Sequence, residues 1–301
     1  MEAAVPGPAE VLRHFSFDVP WILVLVATAI GYFRAYRQSR TDPSFRPHPR
    51  WKLVAFFAGV LLVGFAVVSP LRYYGDQTLW IDFSGFLVLT MLAPPLLWLG
   101  SPLTLAFRVS GTAGRRRLRA LYRSRAVAVV TFPVVAWLLF AVVTYLWQLT
   151  ILTDVAARHW WVRDIQLATL LFVALCFWLP ALSADPARWR LPDPLRALYV
   201  FVEMTHKALF GAMFLSLTRP LHHHFAHSVP AWGPAPMLDQ QVAIAVLWVG
   251  GNLVFLLVLA IVIAHWVRAD ARATVRLDRR LAAEREVEQR RRAALEQIFR
   301  R

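Results

Sequence analysis

Three ionisable residues with helical spacing interrupt an apolar stretch in the second half of the chain. Glu203, His206 and Lys207 lie in the segment VEMTHKALFG, residues 202–211. Spacings of i, i+3 and i+4 put them on one face of a helix, and Glu four residues before Lys favours an ion pair. A charged side chain at bilayer depth costs roughly 2.5–3.5 kcal/mol on insertion scales. We therefore expect this face to point into a helix bundle. It is then a self-paired polar seam, a proton path or a site where a metal ion binds transiently.

A second group of residues with possible chemistry is a histidine-rich loop. The stretch RPLHHHFAHS, residues 219–228, is followed by MLDQQ, residues 237–241. Imidazoles bind Cu, Zn or Ni, and a methionine thioether adds a soft donor. Neighbouring histidines of a regular helix cannot all reach one ion, but a loop can turn two or three of them inward. The alternatives are a solvated loop and a metal site made by His222, His223, His224, His227 and Met237.

The elements that must position these residues are membrane helices. The chain has 301 residues, of which 58% are hydrophobic, and soluble proteins are nearer 45–50% apolar. Its mean hydropathy is +0.50. A span across the bilayer takes about 20 residues, and seven stretches qualify: 19–36, 53–70, 79–100, 126–148, 164–183, 195–217 and 241–266. We predict an all-α polytopic bundle over residues 1–268 and a basic helical tail over 269–301. No AxA-like cleavage motif directly follows the first span, which we expect to remain as an anchor.

Arginine and lysine are distributed unevenly over the predicted loops. One side of the membrane, including the tail, carries 27 of them, and the other side carries five: Arg13, Arg72, Arg158, Arg163 and Arg219. The positive-inside rule then predicts an outer N-terminus, a cytoplasmic C-terminus and an outer position for the histidine-rich loop. Topology and contact with anionic lipid headgroups account for the net charge of +15 without nucleic acid. The tail is expected to extend the seventh span or to lie on the inner surface, and a partner-binding role for it stays open.

Other residues point to structure more than to catalysis. Pro94 and Pro95 in TMLAPPLLWLGSP, residues 90–102, remove two amide donors and predict a kink. Asp82 is expected to cap a helix at the membrane interface. The single cysteine, Cys176, excludes an intrachain disulfide and a CxxC site, and it is expected to be buried. No GxSxG, HExxH, Walker A or CxxCH motif occurs, so we expect a protein that is not an enzyme.

Several stretches, taken together, resemble the CtaG-like cytochrome c oxidase assembly factors over about residues 50–268. They are LTMLAPPLLWLGSPLTLAFR (89–108), YLWQLTILTDVA (145–156), FWLPAL (177–182), LFGAMFLSLTRPL (209–221) and DQQVAIAVLWVGGNLVFLL (239–257). The positions singled out by this match are Pro94, Pro95, Trp147, Asp239, Gln240, Gln241 and Trp248. The resemblance implies a seven-helix protein of the bacterial plasma membrane that assists maturation of a haem–copper oxidase. Its implied partners are the oxidase subunits, and its usual proposed task is copper delivery to the catalytic subunit.

The chain departs from the family at the positions where the resemblance implies metal-binding histidines. Family members usually carry histidine pairs, one helical turn apart, near the outer ends of spans three, four and five. Here the corresponding residues are Asp82, Phe86, Thr144, Gln148, Arg163 and Leu167. Copper is then bound by a relocated set, chiefly the histidine-rich loop, or metal binding is lost and the protein is a scaffold. The alternative from another functional class is a proton or metal-ion transporter.

Overall fold

The computed structural model describes residues 14, 18–41, 47–182, 185, 188–227 and 229–299, and this part of the chain is helical without strands. Within it, six helices are long and apolar enough to cross a bilayer, and a bent pair makes a seventh span if counted as one. This confirms the all-α, polytopic membrane fold, whereas its direction in the membrane stays a prediction. The predicted outer Arg13, Arg46 of the first basic loop, Ser228 and the last two tail arginines lie outside the described residues.

The first two membrane helices are α1 (Val19–Thr41) and α2 (Arg50–Val68). α1 lies at the periphery of the bundle, because only 17% of its most apolar 18-residue stretch is buried against the rest of the protein. Tyr32 anchors it, because its ring stacks on Phe56 at 3.7 Å and its hydroxyl donates to the Gly100 carbonyl at 2.7 Å. Tyr36 and Ser39 are buried on the same helix, and most of its other large apolar side chains are exposed and free to face lipid.

The third span is interrupted where the sequence predicts a kink. After the short α3 (Pro70–Gly75) come α4 (Leu79–Leu87), a π-helical turn (Val88–Leu92), α5 (Ala93–Leu99) and α6 (Pro102–Val109). Pro94 has no N–H to give to the carbonyl of Thr90 one turn earlier. That carbonyl accepts a hydrogen bond from the indole of Trp178 at 2.8 Å. A neighbouring helix thus satisfies the group that the proline leaves free.

The fourth span differs from the prediction. After the arginine-rich α7 (Thr112–Arg123), the predicted helix 126–148 is broken into α8 (Arg125–Val130) and α9 (Pro133–Gln148). The cause is Pro133, since the residue before a proline is driven out of helical conformation, and Phe132 has φ −65° and ψ 127°. α9 then bends by 65° into α10 (Leu152–Arg158).

The remaining helices include the longest of the described part, which has 49 residues and comes last. They are α11 (Trp160–Leu182), α12 (Asp193–Leu215), α13 (His223–His227), α14 (Pro236–Ala245), a π-helical turn (Val246–Gly250) and α15 (Gly251–Phe299). α15 continues the seventh span without a break into the predicted basic tail, so the tail extends this span. Its part beyond residue 266 is about 50 Å long at 1.5 Å per residue.

Aromatic side chains dominate the centre of the bundle. Trp178 stacks on Phe255 at 5.1 Å, and Phe140 stacks on Phe177 at 4.9 Å. Cys176 is a buried free thiol, as expected. Below, the end of the bundle that holds Asp76, Asp154, Arg163 and the loop His222–His227 is called the His-loop end, and the end that holds α7 and Asp185 is called the Arg-rich end.

Candidate functional site

The histidine-rich loop is held in place by its own backbone and by two of its rings. The Asp154 carboxylate in α10 accepts hydrogen bonds from the N–H groups of His223 and His224, both at 3.0 Å, and so caps α13. The Nε2 atom of His222 lies 3.1 Å from the Gln148 carbonyl, and Nε2 of His224 lies 2.9 Å from the Asp76 carbonyl. Because a carbonyl only accepts, both rings donate a proton from Nε2.

Burial also sets the charge of His222. Its side chain is buried, and this lowers the pKa of His222, while the nearby carboxylates of Asp154 and Asp82 act in the opposite direction. Nδ1 of His222 lies 3.9 Å from Asp154. His222 therefore positions the loop as a neutral ring at neutral pH.

The other two histidines of the loop remain available at the surface. His223 and His227 are exposed, and their rings lie 5.0 Å apart on one face of α13. Met237 begins the first turn of α14 and is partly exposed. Among the residues that the structure describes, no three His, Cys, Asp or Glu side chains are arranged to hold a metal ion. The loop thus offers a pair of imidazoles, and the five-donor site stays a prediction.

A buried arginine is the centre of a second polar cluster at this end. In α11, the Arg163 guanidinium contacts Asp82 through Nη1 and Asp76 through Nη2, each at 2.5 Å, and Gln166 at 2.9 Å. Its side chain is only 5% exposed. Arg72 makes a parallel set of ion pairs, at 3.1 Å to Asp18 and 2.9 Å to Asp164. The fork of the Arg163 guanidinium thus joins α11 to the segments before and after the start of α4.

The six positions where the resemblance implies histidines lie on converging helices around this arginine. Five of them line one pocket: Asp82, Phe86, Gln148, Arg163 and Leu167. Thr144 is buried one turn from Gln148. The side-chain amide of Gln148 is fully buried, and neither its nitrogen nor its oxygen has a hydrogen-bond partner in the described part of the chain. The sequence alignment thus identified a real three-dimensional cluster, although none of its members is histidine.

The residues of this pocket do not fit a copper ion. Copper in proteins prefers imidazole and sulfur ligands, and the pocket supplies a carboxylate and an amide. The Asp82 oxygen that points into it is already bonded to Arg163. The guanidinium is always charged, and it repels a second cation at this distance. A metal ion implied by the family therefore has no suitable ligand set at these positions.

The intramembrane face of α12 is arranged differently from the predicted seam. Glu203 is 1% exposed, and its Oε2 lies 3.4 Å from Nδ1 of His206. The Lys207 ammonium lies 5.7–5.8 Å from the centres of three rings, Phe86, Phe140 and Phe255. No ion pair between Lys207 and Glu203 occurs among the described residues. Glu203 and His206 thus lie within ion-pair distance without the geometry of a hydrogen bond, while Lys207 makes cation–π contacts.

Part of this face has no hydrogen-bond partner. Oε2 of Glu203, both ring nitrogens of His206 and the indole nitrogen of Trp137 are buried without one in the described part of the chain. The rings of Trp137 and Tyr145 lie 5.1 and 5.0 Å from the His206 ring. These polar groups lie between α9 and α12, near the middle of the membrane-spanning region, and they make no hydrogen bond with the described residues.

The family-matching polar residues tie the helices of the His-loop end together. The Asp239 carboxylate in α14 accepts hydrogen bonds from the N–H groups of Leu79 and Trp80, at 2.8 and 3.0 Å, and so caps α4. Gln240 accepts from the Leu221 N–H at 2.8 Å. The remaining contacts are those of Trp147, whose indole donates to the Thr169 hydroxyl at 3.0 Å, and of Trp248, which packs on Gly211, whereas Gln241 is exposed.

Sequence reasoning missed the two partners that complete the site. The sequence does not single out Asp76 or Gln166, and it presents Arg163 only as an outer charge and as a family position that lacks its histidine. The sequence does carry a signal for this site. Two of the predicted outer loops each contain opposite charges next to a span: Arg72 with Asp76, and Arg163 with Asp164. Such charges at the membrane boundary pair with one another more often than they remain alone.

Comparison with known proteins identifies a family. A family model described as cytochrome c oxidase caa3 assembly factor (Caa3_CtaG) matches residues 30–269. Uncharacterized proteins of Mycobacterium leprae and Mycobacterium bovis are each 29% identical to the chain, over 286 and 282 residues. The alignments cover 91% of this chain but only 43% and 42% of those relatives, so the chain spans less than half of their length.

No solved structure matches the chain. The family model covers most of the membrane helices described above, including the Arg163 pocket, the capping residue Asp239 and the histidine-rich loop. The chain therefore belongs to the Caa3_CtaG family of cytochrome c oxidase assembly factors.

Proposed function

We propose that the chain assists assembly of a haem–copper cytochrome c oxidase as a metal-free scaffold. It acts without catalysis, in a bacterial plasma membrane, on the catalytic subunit of the oxidase. The observation that carries the scaffold role is the set of ion pairs made by Arg163, which occupies the pocket where the family resemblance implies a metal.

The His-loop end is suited to bind a partner because its loops are fixed by capping bonds and ion pairs. Beside these loops, large apolar side chains stand exposed: Ile151 is 72%, Trp160 71% and Trp161 54% exposed. Aromatic side chains at the membrane boundary contribute to interfaces with other membrane proteins as well as to contact with lipid headgroups. We therefore propose that the oxidase subunit docks on these exposed side chains of the His-loop end.

A deletion strain complemented with variants tests the scaffold. The deletion is expected to lower oxidase activity and oxidase copper content without changing oxidase transcription. Wild type and His223→Ala/His227→Ala should both restore activity, whereas Trp160→Ala/Trp161→Ala should not. Normal, copper-loaded oxidase in the deletion strain would remove the proposal.

The second candidate function is copper handling by the exposed loop pair. It is favoured by His223 and His227, which offer two imidazoles at 5.0 Å with open coordination positions. In this case His223→Ala/His227→Ala fails to restore oxidase copper, and the purified variant loses copper binding that the wild type has. Equal restoration by the variant and the wild type argues for the scaffold.

The alternative from a different class is transport of protons or metal ions through the bundle. It is favoured by the unpartnered polar atoms of Glu203 and His206 at mid-membrane depth. Reconstituted vesicles should then show an ion flux that disappears in Glu203→Gln. A wild type without flux under a proton or copper gradient excludes this function.

A further inference from the structure

The pocket around Arg163 is small, and polar side chains form one part of its otherwise apolar wall. Its volume is about 20 Å³, which is room for about one water molecule. Gln148 brings a free donor and a free acceptor to this space, and Arg163, Asp82 and Gln166 complete its polar wall. A water molecule is the occupant that satisfies both atoms of the amide.

A second, larger cavity shares one wall residue with this pocket. Its volume is about 540 Å³, and Arg72 lines both spaces, whereas Asp76 lines only the larger one. Asp18, Arg158 and Trp160 also line this cavity. The Asp76 carboxylate, which pairs with Arg163, is 37% exposed, so a dissolved metal ion can approach it, and exclusion of the ion must come from the groups around this carboxylate.

Charge supplies that exclusion. Asp76 and Asp82 are two carboxylates on neighbouring segments, and they repel each other unless a cation lies between them. The Arg163 guanidinium lies there, bonded to one oxygen of each at 2.5 Å. A divalent metal ion between two carboxylates would provide the same bridge.

We propose that Arg163 is a built-in cation that takes the place of a metal ion in this pocket. It joins α11 to α4 through Asp76 and Asp82, and Gln148 holds one water molecule beside it. The inference rests on the proposed scaffold function and deepens it, because it names the group that replaces the metal ion, and it is tested on the purified protein without an oxidase partner.

The test converts the pocket into a metal site. The double variant Gln148→His/Arg163→His leaves Asp82 in place, so that two imidazoles and a carboxylate line one pocket, a set that suits Zn²⁺ or Cu²⁺.

All proteins carry His223→Ala/His227→Ala, which removes the exposed pair. Gln148→Ala/Arg163→Ala is the matched control. The measurement is the melting temperature in detergent, with and without ZnCl₂ or CuCl₂.

The double-histidine variant is expected to gain about 5 °C or more at metal concentrations roughly 100 times Kd. The parent protein with Arg163 and the alanine control should gain nothing. A folded double-histidine variant that gains nothing contradicts the proposal. The proposal is also contradicted if the parent protein with Arg163 binds metal stoichiometrically and Asp82→Asn abolishes this binding. This measurement needs no folded histidine variant. Neither result uses an oxidase: metal binding by the parent would overturn the metal-free character of the scaffold, whereas failure of the assembly role itself would appear only in the deletion strain.

Discussion

At the scale of single residues, three aspartates each bind the start of a helix that is distant in sequence. Asp239 caps α4, Asp154 caps α13, and Asp185 accepts the N–H groups of Leu103 and Thr104, at 2.7 and 2.8 Å, at the start of α6. A carboxylate at this position satisfies two free N–H groups and interacts favourably with the helix dipole. Burial raises the pKa of Asp185, and the hydrogen bonds from Thr104 and Leu103 oppose this rise.

Asp239→Ala is expected to destabilise the protein by about 1–2 kcal/mol, because the N–H groups of Leu79 and Trp80 lose their acceptor. Thermal unfolding in detergent measures the loss. Gln241→Ala is the matched control on the exposed side of the same helix, and it should change stability by less than about 0.5 kcal/mol. Equal melting temperatures of both variants and wild type would show that the cap does not contribute.

His222 gives the His-loop end a dependence on pH. Its folded-state pKa is lowered below the ordinary 6.5 by burial, so the unfolded chain binds more protons as the pH falls. The free energy of unfolding should therefore decrease as the pH drops below about 6.5. Melting temperatures from pH 8 to pH 5 are compared between wild type and His222→Gln, and the wild type should lose more. Parallel curves for the two proteins would contradict this assignment.

At the scale of elements, close approach of helices depends on two glycines in α2 and after α5. A Cβ added at Gly100 lies 2.6 Å from the Phe56 Cβ, and one at Gly59 lies 2.9 Å from the Leu97 backbone nitrogen. Neither contact is possible without a shift of backbone. The LGSP element, residues 99–102, is thus a packing motif as well as a family signature. Ser101 within it has a φ of 52°, in the left-handed region.

Gly100→Ala is expected to cost about 1–3 kcal/mol through overpacking of α2 against α5. Gly31→Ala is the matched control, since a Cβ there meets nothing within 4 Å. The control should be neutral, or more stable by up to about 1 kcal/mol, because alanine favours helix. Thermal unfolding of both variants decides the matter, and a control that is destabilised as much as Gly100→Ala would refute the packing argument.

At the scale of the whole molecule, composition and hydropathy predict the membrane helices but not how their polar ends pair. Spans one, two, five and six lie close to the predicted ranges, because long apolar runs have few alternatives in a bilayer. Pro133, by contrast, breaks the fourth span inside an apolar run, where hydropathy alone predicts no end of a helix.

The candidate site was predictable only in part. Arg163 and Asp76 are 87 positions apart, and Asp239 and Leu79 are 160 apart. No local pattern encodes such contacts. The family alignment nevertheless identified the positions that converge, because a shared fold keeps positions in register even when their residue types change. The face of α12 was predicted from helical spacing, whereas the aromatic surroundings of Lys207 come from α4, α9 and α15.

The proposed scaffold function requires that the His-loop end contacts the catalytic subunit of the oxidase. Site-specific photocrosslinking in cells tests this directly, with a photoreactive amino acid in place of Trp160, which is 71% exposed at this end. The control position is Leu121 in α7 at the Arg-rich end, which is 64% exposed. We expect crosslinks to the catalytic subunit from position 160 and none from position 121. Crosslinks from position 121 alone, or from neither position in variants that still support oxidase assembly, would contradict it.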